Sequence, residues 1–148
     1  IKKQIANGKL TQKIIDKFEV PILSTIIKRN VFDRIKFDNR YTIIGDFDFF
    51  VRLSLIKNIT AIQEPLAYYR IHDSNLTKKR IDLNIKELKN WLSEKVNNKS
   101  FKLINFSKVY SLIEILEIKQ DITRGNKLRA LTRILKKYFN IFKLKFLN

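Results

Sequence analysis

Along the second half of the chain, polar and apolar residues alternate at helical spacing in three blocks, Lys79–Val96, Phe101–Ile122 and Lys127–Phe146. Asn97-Asn-Lys-Ser and Thr123-Arg-Gly-Asn separate them, runs that suit helix ends and turns. The first half is less uniform. Leu10, Ile14, Ile15 and Phe18 predict a helix over 9–18, opened by Gly8. Val20-Pro-Ile-Leu-Ser-Thr-Ile-Ile27 is short and rich in β-branched residues, which predicts a strand with Pro21 at its start. A short helix is expected over Lys28–Ile35 and a loop at Asp38-Asn-Arg-Tyr. Phe47, Phe50, Val51 and Leu55 then mark a helix with Asp46 as its N-cap and an Asp48–Arg52 pair on one face. Thr60–Ile71 predicts a strand pair or bent strand broken at Glu64-Pro65, and Asp73-Ser-Asn-Leu-Thr a turn. The pattern therefore divides the chain at residue 78, into a mixed α/β part (1–78) and an all-helical part (79–148).

The last block is the most polarised. Leu128, Leu131, Leu135, Tyr138 and Phe142 share one helical face, and Arg129, Arg133, Lys136 and Lys137 crowd the opposite one. From Arg124 onward no acidic residue appears. Such a helix can pack with a solvated basic face, lie on an anionic membrane surface, or contact nucleic acid.

Composition narrows the options. At 148 residues with 45% hydrophobic content, the chain can bury a core. The absence of cysteine removes disulfides, zinc-thiolate sites and thiol nucleophiles. Methionine is absent and the first residue is Ile1, so a piece of a longer protein is expected; no signal peptide or run of apolar residues long enough to span a bilayer is present. The net charge of +17 favours anionic partners, although an excess of Lys, Ile and Asn of the kind AT-rich codons produce accounts for part of it.

Candidate chemistry lies in Ile43-Ile-Gly-Asp-Phe-Asp-Phe-Phe-Val-Arg-Leu53 and Glu64-Pro-Leu-Ala-Tyr-Tyr-Arg-Ile-His72. From the residues alone, Asp46-Phe-Asp48 admits three assignments. They are a helix cap with a surface Asp48–Arg52 pair, a divalent-cation site, or a carboxylate general base facing a cleft. His72, the sole histidine, is equally open to a structural or a chemical role.

Taken in order, Ile26-Ile-Lys-Arg-Asn-Val-Phe32, Gly45-Asp-Phe-Asp-Phe-Phe-Val-Arg-Leu53 and Ile62-Gln-Glu-Pro-Leu-Ala-Tyr-Tyr-Arg-Ile-His72 with Asn75 resemble the acceptor-side half of family 2 inverting glycosyltransferases. The resemblance spans Gly8 to Thr77. It implies the C-terminal half of a GT-A, Rossmann-like α/β domain, followed by the helical region. It also implies that Asp46 is the catalytic base, with Gly45 standing where the family has a first acid. Asp48 and Arg52 become structural helpers, and Arg70 and His72 lie near the donor diphosphate, His72 being an option for metal contact. A divalent metal (Mg or Mn) is implied for the whole enzyme, its Asp-x-Asp ligands lying in an N-terminal nucleotide-binding half that this chain lacks, so the chain alone is expected to be inactive. The Gln-x-x-Arg-Trp signature of processive synthases is missing, since Trp91 sits in Lys89-Asn-Trp-Leu.

The expected activity is transfer of a sugar from a nucleotide-sugar donor to a saccharide or lipid-linked acceptor in cell-surface polysaccharide synthesis. The expected setting is the cytoplasm, at the inner membrane face, with residues 124–148 on anionic lipid. The competing expectation is a non-catalytic basic helical module that binds membrane or nucleic acid; no nucleic-acid-binding signature supports the latter partner.

Overall fold

Helical periodicity decides which side chains turn inward, and the segment Ile81–Val96 shows this. Its inward positions Asn84, Ile85, Leu88, Trp91, Leu92 and Lys95 recur at three- and four-residue steps. The computed structural model describes residues 7–68, 70 and 79–146, with side chains through Phe139. Among them the α-helices are α1 (Thr11–Asp16), α2 (Arg29–Phe32), α3 (Gly45–Ile56), α4 (Ile81–Val96), α5 (Ser107–Thr123) and α6 (Lys127–Phe146). Short 3-10 turns occupy Ile22–Ser24 and Lys99–Phe101.

The expected α/β, Rossmann-like half-domain is not what forms: the chain is mostly helical, and no strand or sheet occurs among the described residues. The predicted strand Val20–Ile27 is a 3-10 turn flanked by extended chain. Of the predicted strand pair over Thr60–Ile71, the described part is irregular, and Tyr69 and Ile71 lie outside the described residues. β-Branched residues favour an extended backbone, but a strand needs a neighbour to take its ladder hydrogen bonds, and among the described residues neither segment has one. Among the described residues the single antiparallel contact is an isolated bridge. Gly8 donates its N–H to the Ile59 carbonyl at 2.9 Å, and Ile59 returns a bond at 3.0 Å. Gly8 holds φ at +97°, a conformation open to glycine.

Contacts within the chain group into two units, Ile1–Val109 and Tyr110–Asn148. The sequence-based boundary at residue 78 would part α4 from α3, whereas both lie in the first unit.

The centre of the first unit is α3, buried nearly all round through Phe47, Phe49, Phe50, Val51 and Leu53. Helix α1 packs on it through Ile14 and Ile15, and Ser54 Oγ lies 3.0 Å from Thr11 Oγ1. Aromatic rings run through the core without a break. Phe37 stacks on Phe49 at 4.4 Å, Phe49 meets Phe50 at 5.3 Å, and Phe18 links Phe50 to Phe47. Phe47 then contacts Trp91 of α4 at 4.8 Å, and Trp91 meets Phe101 and Phe106 edge-on. Edge-to-face and offset pairs of this kind add to the stabilisation from burial alone. Gln12 and Asn105 exchange two hydrogen bonds, each of 2.9 Å, and so fasten α1 to the segment before α5.

In the second unit, Gly125 (φ +79°) ends α5. Its N–H reaches the Ile122 carbonyl, and the Asn126 N–H reaches back to Asp121 at 2.8 Å, a Schellman turn that leads into α6. The α5 and α6 helices are joined by ion pairs. Arg133 binds Asp121 at 2.8 Å and also Glu117, while Lys137 binds Glu114 and the Ser111 hydroxyl. No described helix is long and apolar enough to cross a membrane.

Candidate functional site

Two carboxylates separated by one residue at the start of α3 have different surroundings. A step of two residues along a helix turns the second side chain to another face, so Asp46 and Asp48 cannot share one environment. Asp48 points into the core and has no solvent exposure. Its Oδ1 accepts the Trp91 indole N–H at 3.0 Å and lies 3.4 Å from Lys95 Nζ, while its Oδ2 accepts Arg52 Nε at 2.7 Å. Arg52 also donates to the Lys36 carbonyl at 2.8 Å, which ties α3 to the turn after α2. A buried carboxylate is tolerable when its lone pairs are taken up in this way.

Asp46 is half-buried at the edge of an open cleft of about 560 Å³ lined by Ile22, Phe37, Asp38, Asn39, Tyr41, Thr42, Ile43 and Gly45. It is not the N-cap: α3 begins at Gly45 with Ile44 in the capping position, and Asp46 Oδ1 accepts the N–H of Phe47 at 2.7 Å. The positive end of a helix dipole by itself depresses the pKa of a nearby carboxyl. The net direction is the reverse, because burial raises the carboxyl above its ordinary value and outweighs the backbone hydrogen bonds that lower it.

The loop that leads into α3 is held by α4. Glu87 is buried, and its carboxylate accepts three successive N–H groups, from Thr42 at 2.9 Å, Ile43 at 2.8 Å and Ile44 at 3.1 Å. Successive amides converging on one anion neutralise its charge and hold the loop in a single shape. That loop forms one wall of the cleft beside Asp46.

Arg40 braces the other wall. It grips Asp38 through Nε and Nη2, the latter at 2.7 Å, and reaches Glu94 of α4 through Nη1 at 2.6 Å. Hydrogen bonding to Arg40 holds the Asp38 carboxyl at about 2, against the raising effect of burial. Tyr41, mostly buried, is pushed up to about 12, by burial first and then by the nearby Glu94 charge.

The structure thus brings Asp48 and Arg52 together and sets Asp46 apart, on the cleft. Arg70 is exposed and is not among the residues lining that cleft, and His72 lies outside the described residues. Asp46-Phe-Asp48 does not fit a divalent cation. Asp48 already carries Trp91, Arg52 and Lys95, and no group of three or more potential metal-ligating side chains occurs among the described residues. Glu87, Trp91 and Lys95 went unassigned from the sequence. Their signal was two charged residues, Glu87 and Lys95, in line with Trp91 on the apolar stripe of α4. No protein family, curated protein or solved structure matches the chain.

Proposed function

We infer that this chain supplies the acceptor side of a sugar-transfer enzyme, with Asp46 as general base. The supporting observation is the contrast between the two carboxylates of α3. Asp48 is saturated by partners inside the core, whereas Asp46 borders an open cleft with its pKa raised by burial. A carboxylate of raised pKa at a cleft edge is a better proton acceptor than an ordinary aspartate. Asp38, Asn39, Thr42 and the ring of Phe37 offer the mixture of polar groups and apolar surface that a saccharide acceptor would use.

In the proposed step an acceptor hydroxyl donates its proton to Asp46 as its oxygen attacks the anomeric carbon of a nucleotide-activated sugar, and the nucleoside diphosphate departs with inversion. The donor and any divalent metal, Mg or Mn, would be held by residues other than the Asp46-Phe-Asp48 pair. The setting we propose is the cytoplasm at the inner membrane face, with a saccharide or lipid-linked acceptor for a cell-surface polysaccharide. Here a helical scaffold, with α4 bracing the loop before α3, presents the carboxylate.

The test uses the full-length protein. Asp46→Asn should reduce transfer at least about a thousandfold, within the range that loss of an essential base produces, and leave donor binding unchanged. Turnover close to wild type would remove Asp46 from the reaction.

A further inference from the structure

Helix α6 presents its charged side to its neighbour and its apolar side outward. At about 3.6 residues per turn, Ala130, Arg133, Ile134 and Lys137 share the side that meets α5. There Arg133, Lys137 and Arg129 take up Asp121, Glu117 and Glu114. The other side carries Leu128, Leu131, Leu135, Tyr138 and Phe139, whose exposure runs from 51% for Leu131 to 77% for Leu128. Soluble helices bury such a stripe; leaving two aromatic and three leucine side chains in water on consecutive turns marks a surface meant to be covered.

The charges flanking the stripe decide what covers it. Lys127 borders it on one side and Lys136 on the other, and among the described residues no ion pair engages either. The acids of the second unit are all spent on the inward side. A second copy laid along the stripe would bring like charges together at both borders, whereas an anionic lipid surface would meet them with opposite charge. Aromatic and leucine side chains between lysines whose stems reach upward suit the boundary between headgroups and acyl chains.

We propose that the outward face of α6 docks this protein on anionic membrane, with Leu128, Leu131, Leu135, Tyr138 and Phe139 in the interface and Lys127 and Lys136 on lipid phosphates. The surface stands independently of the role of Asp46, and vesicle binding requires no sugar donor.

Flotation of the whole chain with vesicles of phosphatidylcholine, alone or mixed equally with phosphatidylglycerol, tests it. Binding is expected to the mixed vesicles only. It should fall about tenfold or more in Leu131→Asp/Leu135→Asp, and also in Lys127→Glu/Lys136→Glu, with circular dichroism unchanged. A Tyr138→Trp chain, with the rest of the helix intact, should shift its emission to the blue on mixed vesicles and be quenched by brominated lipid. Absence of flotation, undiminished binding by folded Leu131→Asp/Leu135→Asp, or no quenching of Tyr138→Trp would overturn the proposal. So would a dimer in sedimentation that the leucine substitutions dissociate, or retention on duplex DNA without vesicle binding.

Discussion

In the first unit, the charged groups of Asp48, Arg52 and Lys95 are drawn inward against Trp91 and the phenylalanines around it. In the second, Arg129, Arg133 and Lys137 of α6 pair with acids of α5 while Leu128, Leu131, Leu135, Tyr138 and Phe139 face out. The same interaction type therefore has different weight in the two places. Inside an aromatic core, where screening is weak, an ion pair left without one partner costs several kcal/mol. Between two partly exposed helices, the same kind of pair contributes little and yields to salt.

Breaking the buried hub should give the largest effect. Asp48→Ala strands Lys95 and Arg52 beside Trp91, and a loss of about 3–5 kcal/mol is expected from urea unfolding of the first unit. Trp91→Phe keeps a ring for Phe47 to pack on but removes the indole donor, and should cost about 1–3 kcal/mol, with little dependence on salt. Glu87→Gln retains the shape while replacing one charged acceptor by an amide N–H. It should cost about 1–2 kcal/mol and speed hydrogen exchange at the Thr42, Ile43 and Ile44 amides more than elsewhere. In the second unit, Arg133→Ala should cost no more than about 1 kcal/mol, shrinking further as ionic strength rises. A salt-insensitive loss as large as that of Asp48→Ala would erase the contrast.

The smallest effect is expected at Asp46, and with opposite sign. Burial raises its carboxyl, so the folded chain holds the Asp46 proton more tightly than the unfolded chain does. The ionised form therefore costs stability above the folded pKa. That cost fades as the pH falls and is gone below the ordinary value of 3.8. Asp46→Asn should stabilise the chain slightly at neutral pH, by less than about 1 kcal/mol, and not at all in acid. Thermal unfolding at both pH values measures it. A substitution that abolishes transfer yet raises stability would be hard to explain by a structural role.

Local patterns were legible where local physics decides. The bounds of α6 follow from its amphipathic run, and the Asp48–Arg52 bond from a four-residue step. The segments Val20–Ile27 and Thr60–Ile71 were misread because strand propensity is realised only beside another strand, and no short stretch of sequence records whether one will be there. The site was half legible for a similar reason. Asp46 stands out in its own segment, but the groups that shape its cleft or claim its neighbour belong to α4. What the sequence shows of them is a glutamate and a lysine, Glu87 and Lys95, on the same stripe as Leu88, Trp91 and Leu92.

The carboxylate of Glu87 lies 43 to 45 residues downstream of the three amides it receives. While the chain is being synthesised, the loop Thr42–Ile44 therefore has no acceptor until α4 has left the ribosome and docked. The segment holding Asp46 can form its helix early, by local bonding, but the cleft in front of it acquires a fixed wall only later. Assembly of this cleft is thus coupled to completion of the first unit, and a chain stopped before α4 would carry the aspartate without the shape around it.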